Sequence, residues 1–225
     1  MAMRLFRQRG ANLASIACVI VLTIAGVHIG VAQYSTDRHE KSDAFWNALW
    51  VRATEAEHYW SWQELALSAD VVVVGKIKDA RYGRARGTDF SDPELLVHFG
   101  HLVVAPEEIF AGAHGISPSG IVIEMMLPSG KALDAIERYE PGERVLLFLR
   151  DKHAVAIQEG LPQESVEMEA GYYSLVQQDA IVRAIDGKAH PRSHAATDVF
   201  TDWDGASFTD LTHAVRQLLV SAGDP

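Results

Sequence analysis

Residues 61–77 read SWQELALSADVVVVGKI, and the fold is decided there. Ser61 stands three residues before Glu64, the spacing at which each side chain can satisfy a free backbone donor at a helix start, and Trp60 and Leu65 occupy the positions of an apolar staple across that turn. The helix is expected to end near Ser68–Asp70, where Val71–Val74 takes over with four strongly β-preferring side chains in a row. A strand with no polar face must be covered on both sides, so this one is central. A second such run, Val145–Leu149 (VLLFL), follows Pro141-Gly142, a pair suited to the centre of a type II turn because glycine accepts positive φ. The simplest solution lands both runs in one core.

Working outward, Tyr34–Ser42 is a polar linker, and Asp43–Tyr59 carries Trp46, Leu49, Trp50 and Ala53 at helical spacing, with Trp60 beyond. This helix is expected to pack on the β domain; Glu55 and Glu57 argue against a basic interfacial helix lying on lipid. Arg81–Glu94 (RYGRARGTDFSDPE) reads as a long exposed loop. Strands are expected at Leu95–Val104, with a turn at Glu107–Gly112, and at Ile121–Leu127, and a short helix at Ala132–Tyr139. Beyond a polar stretch come strands at Tyr172–Val176 and Ala180–Ile185, then a hairpin turn at Asp186-Gly187. His190–Gly205 reads as irregular, and a last helix starts at Ser207 with Phe208, Leu211, Val215, Leu218 and Leu219 on one stripe. The sum is a mainly β fold with flanking helices: a small closed Greek-key barrel, an N-terminal transmembrane helix and a C-terminal amphipathic helix.

The 225 residues suffice for one good core plus an attached segment. Residues 1–33 contain Arg4, Arg7 and Arg9 and no acid, so the net charge of −10 leaves 17 bases against 30 acids, or −13, for the rest. A domain that acidic repels nucleic acid, which is excluded as a partner. Cys18 is the only cysteine, so the chain forms no intramolecular disulfide and no thiolate metal site.

Ala11–Ala32 has no charged residue, and 22 helical residues span about 33 Å against a hydrocarbon layer of about 30 Å. The arginine flank places the N-terminus in the cytoplasm and the remainder outside. Two readings stand: an uncleaved anchor, which the length favours, and a signal peptide cut near Gly30-Val31-Ala32, which would release a secreted domain. Ser15-Ile16-Ala17-Cys18 is a poor lipoprotein box because the apolar run continues past it. The resulting division is 1–33 anchor or signal, 34–60 linker and Trp-rich helix, 61–190 β domain, and 191–225 irregular segment and helix.

Three stretches carry a resemblance. Ala69–Ile77 resembles the opening strand of the netrin-like, or tissue-inhibitor-of-metalloproteinase-like, OB barrels, Val103–Gly112 (VVAPEEIFAG) the following strand and turn, and Gly142–Leu149 a later strand that closes such barrels. Similar domains occur in exported bacterial proteins. The resemblance implies an OB-like barrel over roughly residues 61–185. It implies no protease inhibition: that mechanism uses an N-terminal cysteine on the protease zinc, and no cysteine exists here beyond Cys18.

Catalytic motifs are missing from the sequence. Gly115-Ile116-Ser117-Pro118-Ser119 breaks the nucleophile elbow at its last position, and Met125 stands where the first glycine of a phosphate loop ending at Gly130-Lys131 should be. No cofactor is implied. His190 and His194, with Asp198 nearby, have a ligand-like spacing without further partners, and His98 and His101 would share a face only if Gly100 carried a bulge. Asp202-Trp203-Asp204-Gly205 fails the calcium-loop template, and the carboxylates Asp89, Asp92, Glu94, Glu164, Glu167 and Glu169 read as solvated loop charges. The most site-like feature is a basic cluster in an acidic domain, Lys76, Lys78, Arg81, Arg84 and Arg86, which suits an anionic partner such as an envelope polymer, a headgroup or an acidic protein surface. The function so expected is a membrane-anchored extracytoplasmic binding module without catalysis or bound metal. The alternative is a metal-dependent hydrolase using a cluster of His98, His101, His190 and His194.

Overall fold

A computed structural model describes residues 40–49, 58–87, 96–112, 116–117, 120–128, 131–192 and 199–223. The apolar stretch Ala11–Ala32, the carboxylates Asp89, Asp92 and Glu94, and His194 and Asp198 lie outside the described residues. Among those described, no helix is long and apolar enough to cross a membrane. The chain divides into two compact units, Met1–Lys41 and Ser42–Pro225, and the β fold belongs to the second.

Helix α1 covers residues 40–48. It is followed by α2 (Trp62–Ser68), β1 (Val71–Arg86), β2 (Val97–Ala111), β3 (Ile121–Met126), α3 (Lys131–Glu137), β4 (Arg144–Asp151), α4 (Lys152–Gln158), α5 (Gln163–Glu169), β5 (Tyr172–Leu175), β6 (Ile181–Ile185), β7 (Lys188–Pro191), a 3-10 turn (Thr201–Trp203) and α6 (Phe208–Gly223). The seven strands form one sheet in the order β1-β2-β3-β5-β4-β6-β7, and β1 also pairs with β4, so five strands close into a ring. Only β3 and β5 run parallel; the other described pairs are antiparallel.

The two all-apolar runs are direct neighbours, with Val72 opposite Phe148 and Val73 opposite Leu147. Because successive side chains point to opposite faces of a strand, each run feeds two cores at once. Val71, Val73, Val145, Leu147 and Leu149 join Leu102, Val104, Ile121 and Ile123 in one, to which α1 adds Phe45 and Trp46 and the turn after it adds Leu49. Val72, Val74, Leu146 and Phe148 join the other, closed by Leu65 of α2 and by Phe208, Leu211 and Val215 of α6. Each of these side chains is buried and contributes roughly 1.5–3 kcal/mol relative to exposure.

Several expectations are corrected. β1 does not stop before Arg81: it continues to Arg86 as one arm of a long hairpin with β2, which itself runs past Glu107 to Ala111. Register shifts let so long a hairpin bend, and one falls beside Gly75, where a Cβ would lie 2.6 Å from the Ala105 carbonyl oxygen. The polar stretch after β4 is two helices rather than a loop. Asp151 caps α4 by accepting from the backbone N–H of His153 and Ala154, and Gly160, at φ +67°, stops it. The segment from His190 is not irregular at its start, since β7 pairs with β6 across Asp186-Gly187, both at positive φ. The α2 cap forms, with Ser61 Oγ accepting from Glu64 N–H at 3.2 Å. Glu64 reaches back to the N–H of Trp60 rather than of Ser61. The staple does not form: the Trp60 side chain is 80% exposed, edge-on to His58.

Candidate functional site

The extension of β1 sorts the five basic residues into two groups. Lys76 sits 3.2 Å from Glu107, which also accepts from Arg144 at 2.7 Å; burial pushes the Glu107 carboxyl up, but these cations outweigh it and hold it below its usual value. Lys78 is exposed, and Arg81 is exposed at 3.7 Å from Asp79. Arg84 and Arg86 go elsewhere. The register between β1 and β2 shifts between Tyr82 and Ala85, so Gly83 and Arg84 together oppose a single residue, Phe99. Such a bulge bends the strand and re-aims a side chain. Glycine is required at 83 because a Cβ there would lie 2.5 Å from the His101 ring.

Arg84 is aimed at two carboxylates that sequence distance hides. Its Nε donates to Glu124 Oε1 at 2.5 Å and its Nη2 to Glu124 Oε2 at 3.0 Å, while Nη2 also reaches Glu169 Oε2 at 2.6 Å. Its remaining Nη1 donates to the Met168 carbonyl at 2.5 Å, and the guanidinium lies 4.3 Å from the centre of the Tyr172 ring, a cation–π contact. Arg86 bonds Glu169 and stands 3.7 Å from Glu124. Lys152, the first residue of α4, bonds Glu124 and stands 3.3 Å from Glu169. His101 Nε2 is 3.4 Å from Glu124.

Glu124 has no exposed side-chain surface, and burial alone would raise its pKa; the hydrogen bonds from Arg84 and Lys152 outweigh that and hold it at about 2. Glu169 is pushed up by burial and down, more strongly, by Arg86, Lys152 and Arg84. Burial lowers His101, and Glu124 only partly restores it, so the ring favours the neutral form. Arg84 loses to burial and gains more from the two carboxylates, ending above its ordinary value. Three cations therefore face two ionised carboxylates, and the cluster carries one surplus positive charge.

That cluster borders a cavity of about 540 Å³, within the range of about 300–1,000 Å³ typical of small-molecule sites. Arg86, Lys152, Glu124 and Glu169 line it at the cluster. Arg150 lines it too, bonded to the Tyr59 hydroxyl at 2.9 Å and 3.8 Å from Asp70, as does Glu159. Met125, Met126, Val155, Leu161, Leu175 and Val176 supply apolar wall. Gln177 also lines it: Oε1 accepts from the Tyr59 N–H at 3.1 Å, while the buried Nε2 has no hydrogen-bond partner.

The other candidates separate. The β2–β3 register passes through Gly100 without a break, so there is no bulge to bring His98 and His101 together and they stay on opposite faces. His98 instead meets the Tyr82 hydroxyl, and His190 lies 3.4 Å from Asp204. Among the described residues no three histidine, cysteine or acidic side chains are gathered as a metal ion needs. Glu169, expected to be solvated, is buried. Glu124 and Lys152 were not singled out from sequence. Glu124 left a trace as the one charge in IVIEMM, and Lys152 followed a good helix cap, Asp151. No family model, curated protein or solved structure matches the chain.

Proposed function

We propose that this chain is a membrane-anchored extracytoplasmic binding module without catalysis of its own, taking an anionic ligand in the cavity beside Arg84, Arg86 and Lys152. One observation carries the ligand: three cations over two buried, ionised carboxylates leave a positive charge at the edge of a cavity, in a chain that is otherwise acidic. An anion there gains charge-assisted hydrogen bonds partly shielded from water. The closed ring of five strands supports an OB-like Greek-key barrel of the netrin-like kind, whose strands Val71–Ile77 and Val145–Leu149 are ring members. The uncharged Ala11–Ala32 stretch with its arginine flank supports single-pass anchoring with the β domain outside the cell, or secretion if the segment is cleaved.

The ligand reading is tested with the full chain in lipid nanodiscs, titrated with butyrate as a minimal anion and followed by magnetic resonance of arginine and lysine side chains. Saturable shifts at Arg86 and Lys152, lost at high salt, are expected. Shifts that grow linearly and equally at Lys78 and Arg81 would refute the site. The address is tested separately by placing a cysteine at exposed Val220. A membrane-impermeant maleimide should label it on intact cells; labelling only after lysis would reverse the topology.

A further inference from the structure

We infer that the ligand of this cavity is an amphipathic monoanion, a single carboxylate-like head carrying an aliphatic or aryl tail. The inference rests on the anionic-ligand reading above and adds its chemical class. The head count follows from charge. Arg86, Arg150, Lys152 and Arg192 line the cavity against Glu124, Glu159 and Glu169, and Glu124 and Glu169 already hold Arg86 and Lys152 by direct bonds, so the wall has one net positive charge to offer and not several. A polyanion would have to strip cations from buried carboxylates, which leaves those carboxylates uncompensated.

The tail follows from the rest of the wall. Met125, Met126, Val155, Leu161, Leu175 and Val176 line the same cavity, and a small hydrophilic anion would cover none of them. Met126 and Leu161 are also among the exposed large apolar side chains, so the greasy wall reaches the surface. Gln177 is a second, independent sign of a ligand. Its oxygen is fixed by the Tyr59 N–H, so the atom left buried without a partner is an N–H donor, and it requires an acceptor. A head oxygen or a carbonyl along the ligand supplies one.

The test compares butyrate, octanoate and octanol on the full chain in nanodiscs of neutral phosphatidylcholine, with empty discs subtracted. Each buried methylene is worth about fourfold in affinity, so octanoate should bind on the order of a hundredfold tighter than butyrate. Octanol, which lacks the charge, should bind at least tenfold more weakly than octanoate. Lys152→Gln and, separately, Arg86→Gln should each weaken octanoate about tenfold or more, with the thermal transition confirming a folded chain. Leu161→Asn should weaken octanoate by a larger factor than it weakens butyrate.

Equal affinities for butyrate and octanoate would overturn the amphipathic class while leaving the anion site intact. Octanol binding as tightly as octanoate would overturn the anionic head, and no binding by either carboxylate would overturn both readings. Repeating the titration in discs containing phosphatidylglycerol assigns the source. Weaker octanoate binding there makes the ligand an anionic bilayer lipid, and unchanged binding makes it a soluble amphiphile; each result retains the class.

Discussion

From Val72 to Lys76, β1 lies between β2 and β4, and its valines alternate between two cores. From Ala80 to Arg86 it keeps β2 alone as a paired strand, and Arg84 and Arg86 fold onto carboxylates from β3 and α5. The first half is held by burial, which asks only that neighbours be apolar and fit. The second is held by directional charge pairing, which asks for particular atoms at particular places. The first half supplies the apolar burial and the second the binding chemistry. The bulge at Gly83 and Arg84 is the joint that lets one strand do both.

The largest effect that would break this comparison is expected in the core. Phe148 stacks on Phe200 at 5.3 Å, and Phe148→Ala should cost about 3–5 kcal/mol by denaturant unfolding, because the two elements closing that core cannot collapse into the space. A cost below about 1 kcal/mol would mean the apolar half is not what holds the fold.

Comparable in size is the effect expected in the charge cluster. Glu124→Gln leaves Arg84 and Lys152 facing a neutral amide, and breaking a buried pair in this way costs about 3–5 kcal/mol. The sign of the pH dependence sharpens the point. The folded pKa of Glu124 is depressed from 4.5 to about 2, so its contribution is present above 4.5 and is lost as pH falls toward 2. A shift of that size corresponds to roughly 3 kcal/mol. His101 acts in the same direction at higher pH. Its pKa is lowered from 6.5, so the unfolded chain takes up the proton first and stability declines as pH falls below 6.5. Wild type should therefore lose stability in two acid steps, and Glu124→Gln should shrink the lower one. An unchanged lower step would place the acid sensitivity elsewhere.

The smallest effect concerns the turn that launches β1. Ser61→Ala removes the acceptor of the Glu64 N–H and should cost about 1 kcal/mol, read as a lowered unfolding midpoint with an unchanged denaturant slope.

What was legible in the sequence follows the same division. The valine run, the VLLFL run, the Asp186-Gly187 hairpin and the stripe of α6 are signalled by adjacent residues, and the structure has each of them. Glycines and arginines punctuate the second half of β1 and make it look like a loop, yet its partners supply what its own sequence lacks. Arg84 meets Glu124 40 residues away and Glu169 85 residues away, a distance that no local pattern spans. Helix α4 was within reach: Asp151 as its cap, Gly160 at its end and Pro162 just beyond are ordinary boundary signals. The Trp60 staple failed for the opposite reason. The local pattern was right, and the indole was left facing solvent instead.

The most direct measurement is butyrate affinity of Glu169→Gln against wild type, by calorimetry on the full chain in nanodiscs. Removing that carboxylate raises the surplus charge on the cavity wall from one to two, so binding should tighten severalfold even as the fold loses stability. Unchanged or weaker binding would contradict the account, because the cluster would then be a closed set of ion pairs and not a site.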